Sequence, residues 1–253
     1  MKIIVYGFGV MGKKVIQAVR DNKDMELIGV VSPTFDQRIK ETMYYSLSEC
    51  HKRADIVIDF SHPSNLNDII NYALNYHCAL VLATTGYTYE QLLHIQETSK
   101  TIPIFQSYNT SYSIAILTKV IKEICVHLYQ HDYDIEIIEK HHHKKKDAPS
   151  GTALSLYQTI HQEIEETLAC YHRNHQRNKE EIGIQSIRAG TILGEHIVLF
   201  AGNDEILEFK HTVLSKDVFV IGALQACYEI MEKDQGLYDL SDLYRESPYV
   251  KEK

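Results

Sequence analysis

The chain has 253 residues, with 34 acidic against 26 basic side chains and a formal net charge of −8. That balance excludes a general nucleic-acid binder, which needs a cationic excess to displace counterions from phosphates, so an anionic partner must be met by a local basic cluster. Five cysteines stand far apart without a CxxC pair, which suggests neither a disulfide framework nor a thiolate zinc site, and no signal peptide or membrane span is read at the N-terminus; a cytoplasmic protein is expected.

The first half alternates short β-rich runs with helical patterns. Lys2–Tyr6, Glu26–Val31, Asp55–Phe60, Cys78–Ala83 and Ile102–Phe105 read as buried strands. Between them, Ser64–Tyr76 and Tyr89–Lys100 carry apolar residues at helical spacing, with Ser or Thr near their starts. Such alternation predicts a parallel, doubly wound sheet, which binds ligands beyond the carboxyl ends of its strands. Those ends are Gly7–Gly12, Val31–Thr34, Ser61–Ser64, Thr84–Gly86 and Gln106–Thr110. After Thr110 the pattern changes. A long helix over Tyr112–Tyr129 leads to a strand over Asp134–Glu139, a histidine-rich loop, and a helix from about Thr152 to Leu168. The polar run Tyr171–Glu181 reads as an exposed connector. Gly183–Arg188, His196–Ala201 and Glu205–His211 alternate as in a mixed or antiparallel sheet, and Asp217–Met231 returns to helix.

Gly7-Phe8-Gly9-Val10-Met11-Gly12 follows a strand and opens a helix. In that context the first glycine permits a tight turn, the second lets backbone approach a pyrophosphate, and the third lets helix pack on strand. A dinucleotide is the expected cargo, and a Rossmann-like sheet the expected fold. An acidic residue about 20 positions later would bind the ribose hydroxyls of NAD. Ser32 stands there instead, in Val30-Val31-Ser32-Pro33-Thr34, which leaves room for a 2′-phosphate, and Arg38 and Lys40 follow a few residues on. Use of both NADPH and NADH is expected, with a modest preference for NADPH.

Residues 139–153 read EKHHHKKKDAPSGTA. Metal sites draw ligands that converge from separated positions, whereas adjacent histidines point in different directions, so no metal is expected here. Asp147-Ala148-Pro149-Ser150-Gly151-Thr152 is a turn into a helix, with Ser150 able to cap it and the Gly151 and Thr152 amides directed at a carboxylate. An imidazole, an ammonium and a helix N-terminus close together suit an anionic substrate undergoing proton transfer.

This stretch closely resembles the signature of the dihydrodipicolinate reductase family, E-x-H-H-x-x-K-x-D-A-P-S-G-T, and Glu139 through Thr152 meet it at every specified position. The resemblance covers most of the chain, including the glycine turn, Ala83-Thr84-Thr85-Gly86, Asn109, and Ser186-Ile187-Arg188-Ala189-Gly190-Thr191 with Gly194-Glu195-His196. It implies reduction of 4-hydroxy-tetrahydrodipicolinate to tetrahydrodipicolinate, with loss of water, in lysine and diaminopimelate biosynthesis. It makes His141 the catalytic acid/base and Lys145 the proton donor, with His142, Gly151 and Thr152 on the dicarboxylate substrate. Gly7, Phe8, Gly9, Val10 and Met11, then Ala83, Thr84 and Thr85, then Ser107, Tyr108, Asn109 and Thr110 would line the cofactor, beside Gly12 and Ser32 from the glycine-turn reading. His143, Lys144 and Lys146 fall at unspecified positions. The implied architecture is a dinucleotide-binding domain over 1–111, completed by 217–253, and a substrate-binding and oligomerisation domain with a mixed sheet over 112–216, assembled as a homotetramer. The chain departs from the family pattern in a glycine turn one residue shorter and without the arginine before Met11, in Ser113 for glycine, and in Ile221 for asparagine. Two rivals are another Rossmann oxidoreductase acting on an imine or carbonyl, and a non-catalytic nucleotide-sensing protein. The second has no need of His141, Lys145 and Gly151 together.

Overall fold

Apolar runs with no polar alternation become the strands of a sheet buried on both faces. Lys2–Tyr6 (β1) is followed by Val10–Asp21 (α1), Glu26–Val31 (β2), Met43–Tyr44 (β3) and Ile56–Asp59 (β4). Leu66–Tyr76 (α2), Ala79–Leu82 (β5), Tyr89–Thr98 (α3) and Pro103–Gln106 (β6) complete the first stretch. This computed structural model describes residues 1–36 and 42–243.

The chain divides into two compact units, Met1–Ser111 with the segment from Asp217 onward, and Tyr112–Lys216. The second begins with Tyr112–Gln130 (α4), Asp134–His141 (β7) and Gly151–Glu163 (α5). It continues with Leu168–Cys170 (β8), Glu181–Arg188 (β9), Glu195–Ala201 (β10) and Ile206–Thr212 (β11). Asp217–Ile230 (α6) and Gly236–Tyr238 (β12) then return to the first unit.

The first unit is built on a parallel sheet of order β12-β6-β5-β4-β1-β2-β3. The order reverses at β1, so the glycine turn leaves the sheet beside the end of β4, where ligands bind in such folds. On α1 the buried residues are Gly12, Val15, Ile16 and Val19, the spacing of one helical face. That face packs on β1 and β2 and beside α6. Leu66, Ile69, Ile70 and Ala73 of α2 pack with Ile4, Val57, Leu80 and Ile104 on the other side. Thr88 and Gln91 form a reciprocal capping box at the start of α3.

The second unit carries a mixed sheet, β11-β10-β7-β9-β8, in which β7 pairs parallel with β9 and antiparallel with β10. Burial alternates strictly along β7, putting Ile135, Ile137, Glu139 and His141 on the inner side. Helices α4 and α5 pack together, α5 against β7 and α4 against β11. Glu136, Ile138 and Lys140 point to the opposite face, where the Glu195 carboxylate bridges Lys140 and Lys210.

Two expectations are corrected here. The helix expected to reach Leu168 ends at Glu163: Ile164 leaves helical geometry (φ −133°, ψ 81°), and Leu168–Cys170 pairs with β9. Strand pairing overrides the helical propensity of the glutamate-rich stretch between. Nor is Tyr171–Glu181 simply an exposed connector. Arg173 bridges Glu136 and Glu181, and Arg177 bridges Asp134 and Glu136, with the two guanidinium side chains only 20% and 17% exposed. Its two arginines tie the segment to the sheet's outer face through the half-exposed Asp134, the half-buried Glu136 and the buried Glu181.

Candidate active site

Every cofactor residue expected from the sequence lies at the carboxyl end of a strand in the first sheet. Gly7 is buried at φ +118°, and a Cβ there would stand 2.4 Å from the Phe60 carbonyl oxygen. A Cβ on Gly12 would stand 2.1 Å from the carbonyl oxygen of Gly7, whereas one on Gly9 would meet nothing within 4 Å. The outer two glycines therefore serve close packing, and Gly9 leaves open space above backbone. Helix α1 starts there with no side-chain cap and no acidic residue in its first turn, so its first amides and dipole suit a diphosphate. These residues fit a dinucleotide.

The neighbouring loops are tied together. Asp59, fully buried at the end of β4, accepts hydrogen bonds from the Ser61 amide (3.0 Å) and hydroxyl (2.5 Å) and from the Tyr87 hydroxyl (3.0 Å). Burial pushes its carboxyl up, and the donors from Ser61, Thr84 and Tyr87 oppose that. Thr84 also accepts the Ser61 amide at 2.9 Å. Ala83 and Thr85 flank it. Ser107 closes a turn by donating to the Asn109 carbonyl at 2.6 Å, Tyr108 is 40% exposed, and the Thr110 hydroxyl donates to Phe219 O at 2.6 Å. Ser32 is buried, and its oxygen accepts the Thr34 amide at 3.3 Å. The Phe8 ring packs edge-on against Phe35 at 5.0 Å, with the Lys13 ammonium 4.7 Å from its centre. Arg38 and Lys40 lie outside the described residues.

The second unit gathers the proton-transfer candidates. Alternation along β7 sends Glu139 and His141 to the same inner side, and His141 Nδ1 lies 2.5 Å from Glu139 Oε2. Glu139 is fully buried and also accepts the Ser150 amide at 3.1 Å. Burial alone would raise its carboxyl, but hydrogen bonds from His141, Arg188 and Ser186 outweigh it and hold the group well below the usual carboxylate range. A Cβ on Gly194 would sit 3.2 Å from His141 Nε2, so only glycine leaves that nitrogen uncrowded.

Lys145 donates its amide to the His142 carbonyl at 3.1 Å, so the two share a turn, and its ammonium pairs with Asp147 at 2.8 Å. His142 Nδ1 is buried without a hydrogen-bond partner among the described residues. Burial, then the charge of Lys216, pushes that imidazole down. Gly151 and Thr152 open α5, whose cap is the Ser150 hydroxyl accepting the Ala153 amide at 3.3 Å. His143, at an unspecified position of the motif, lies in a turn and is anchored on the Gly190 carbonyl at 2.8 Å. The structure thus brings His141, His142, Lys145 and the start of α5 to one end of β7. Among the described residues no group of three or more His, Cys, Asp or Glu side chains is arranged to hold a metal.

Sequence reading assigned no role to Arg188, His196 or Lys216. Arg188 and His196 lay in the quoted motifs, but only strand register shows what they touch. His196 is buried, shares a 2.9 Å hydrogen bond with the Ser150 hydroxyl and stands edge-on to His141 at 5.2 Å. Burial, with the charge of His141, pushes it down to about 3. The native state then stays neutral while the unfolded chain takes up a proton. This group's contribution to stability is complete above about 6.5 and is lost as pH falls from there toward about 3. We expect His196→Gln to flatten the acid side of the stability profile, where this one group removes up to about 1.4 kcal/mol per pH unit. Urea titrations between neutral pH and about 5 measure it, and equal acid slopes for the two proteins would refute the assignment.

Known proteins resemble the chain over nearly its whole length. The family model described as dihydrodipicolinate reductase, N-terminus, matches residues 1–110, and the corresponding C-terminus model matches residues 113–244. The chain is 44% identical over 248 residues to the 4-hydroxy-tetrahydrodipicolinate reductase of Clostridium novyi (strain NT), covering 96% of this chain and 98% of that protein. It is also 44% identical over 256 residues to the enzyme of the same name from Exiguobacterium sp., covering 100% and 99%. Among solved structures, the dipicolinate-bound dihydrodipicolinate reductase from Paenisporosarcina sp. TG-14 superposes with a TM-score of 0.76, at 22% identity and 94% and 97% coverage.

Proposed function

The chain belongs to the dihydrodipicolinate reductase family, and we propose that it reduces 4-hydroxy-tetrahydrodipicolinate to tetrahydrodipicolinate, with loss of water, in lysine and diaminopimelate biosynthesis. The observation that carries this reading is the buried Glu139–His141 pair standing one turn from Lys145, ahead of the α5 N-terminus. Loss of water leaves a conjugated imine, whose far carbon would take the hydride that a nicotinamide dinucleotide supplies when held at the glycine turn. The electron pair moves to nitrogen, and the resulting enamine takes a proton on carbon. His141 and Lys145 are the groups we assign to that proton, a role worth about 10²–10⁴ in rate. His142 and the Gly151 and Thr152 amides are assigned to the carboxylates. Steady-state turnover with NADPH and enzymatically generated substrate tests the reading, and an enzyme inert with that pair would overturn it.

The first unit is read as the dinucleotide domain and the second as the domain for substrate and assembly. A homotetramer joined through the outer face of the second sheet is supported by apolar side chains there, Ile187 at 42% and Ile206 at 66% exposure. A reducing cytoplasm is supported by cysteines that are all free, four of them buried. No described helix is long and apolar enough to cross a membrane.

We read the cofactor preference as dual with a lean toward NADPH. Support comes from a neutral Ser32 at the end of β2 and from the Lys13 ammonium beside the glycine turn. Ser32→Asp keeps an acceptor for the Thr34 amide, so the turn is preserved, but it sets a carboxylate where only NADPH brings a second anion. The KM for NADPH is expected to rise about tenfold or more relative to that for NADH. Two KM values moving together, or a wild type dependent on NADH alone, would sink this preference.

A further inference from the structure

The Ser186–Thr191 motif has no part in the chemistry assigned above, yet its arginine touches both halves of it. Strand β9 runs parallel to β7 with Arg188 in register with His141, and the Ala189 amide donates to the His141 carbonyl at 2.9 Å. From there the Arg188 guanidinium forks onto Glu139, Nη1 to Oε2 at 2.8 Å and Nη2 to Oε1 at 2.6 Å. The same Nη2 donates to the Asp147 carbonyl at 2.6 Å. The Asp147 carboxylate in turn holds the Lys145 ammonium at 2.8 Å.

We propose that Arg188 is a positioning residue for both proton-transfer groups, acting on His141 through Glu139 and on Lys145 through Asp147. The proposal rests on the reaction assigned above and adds to it the device that sets its geometry. A fully buried carboxylate stays ionised only when cations and donors surround it, and a bidentate arginine does this with fixed direction. Ionised Glu139 accepts the His141 Nδ1 proton, which selects the tautomer and turns Nε2 toward the space that Gly194 keeps clear. The bond to Asp147 fixes the backbone on which the Lys145 ion pair rests. One side chain thereby sets the imidazole and the ammonium relative to each other.

Among the described residues, the charged and titratable groups around His141 are Glu139 on its own strand, which Arg188 of β9 holds, His196 on β10, and His142 next in sequence. Glu139 directs the imidazole only while it is ionised, so removing the anion and removing the cation that keeps it ionised must act alike on His141. Imidazole ¹⁵N chemical shifts should show the preference for a proton on Nδ1 weakened in both Glu139→Gln and Arg188→Met. Both variants should lose about 10²-fold in kcat, with little change in KM. Either single change strands a buried partner, so the double variant Glu139→Met/Arg188→Met, which removes both charges, is the control for folding. It should bind NADPH as the wild type does, melt cooperatively, and lose the preference for a proton on Nδ1. A weakened preference in both single variants, together with its loss in the double variant, establishes the proposal. An unchanged tautomer in Arg188→Met or in the double variant overturns it. The resonances need no turnover, so failure of the assigned reaction would be seen separately.

Discussion

His141→Ala lowers kcat by about 10²–10⁴-fold and leaves the dissociation constant for NADPH unchanged, and Lys145→Ala does the same. The expectation is specific because neither change should harm the fold. Glu139 keeps its bidentate partner Arg188 and the Ser150 amide when His141 is truncated. Asp147, with its side chain 57% exposed, is free to solvate when Lys145 is lost. Both residues belong to the second unit, whereas the glycine turn belongs to the first. Rapid-mixing or steady-state rates, paired with fluorescence titration of NADPH, separate the two quantities. Near-normal turnover in a folded variant would remove that residue from the mechanism.

Gly12→Ala should abolish tight NADPH binding and destabilise the protein together. The added Cβ would fall 2.1 Å from the Gly7 carbonyl oxygen, a backbone atom that has no rotamer with which to yield. Helix α1 must move off β1, at about 1–3 kcal/mol for overpacking, or a drop of roughly 2–4 °C in Tm for each kcal/mol. Moving the helix also misaims the amides that would meet the diphosphate. Gly9→Ala is the informative contrast. Its Cβ enters open space, so Tm should hold while the dissociation constant for NADPH rises. A Gly12→Ala protein that melts and binds like wild type would refute the packing account, and so would equal Tm losses at the two positions.

The parts of this fold legible in the sequence are those whose signal is local. Buried runs such as IIV in β1 and IVI in β4 announce strands by themselves, and the glycine turn is readable because strand and helix flank it. Strands of two or three residues, β3, β8 and β12, carry too few positions to show a period and exist through their neighbours. The histidine run was legible as chemistry but not as geometry. Alternation makes Glu139 the partner of His141, while the lysine run hides which ammonium is anchored, and only Asp147 distinguishes Lys145. Arg188 and His196 reach His141 from other strands, and cross-strand register is not written in the spacing of either motif. The half-buried arginines at 173 and 177 were obscured for another reason. Their segment has a solvent-like composition, and the two arginines are drawn in by carboxylates on a strand far off in sequence.

The first unit is assembled from two stretches of chain, and this has a bearing on how a ribosome delivers it. Strands β1 through β6 emerge first, yet α6, which lies against α1, β5 and β6, and β12, which pairs with β6, come only after residues 112–216. Until then an apolar layer of the nascent chain stays wet and one sheet edge stays open. The inserted unit is one contiguous stretch from Tyr112 to Lys216 and is free to finish ahead of the domain that was started before it. Translation halted near codon 216 would therefore release one completed half and one adhesive half, a natural client for chaperones and proteases.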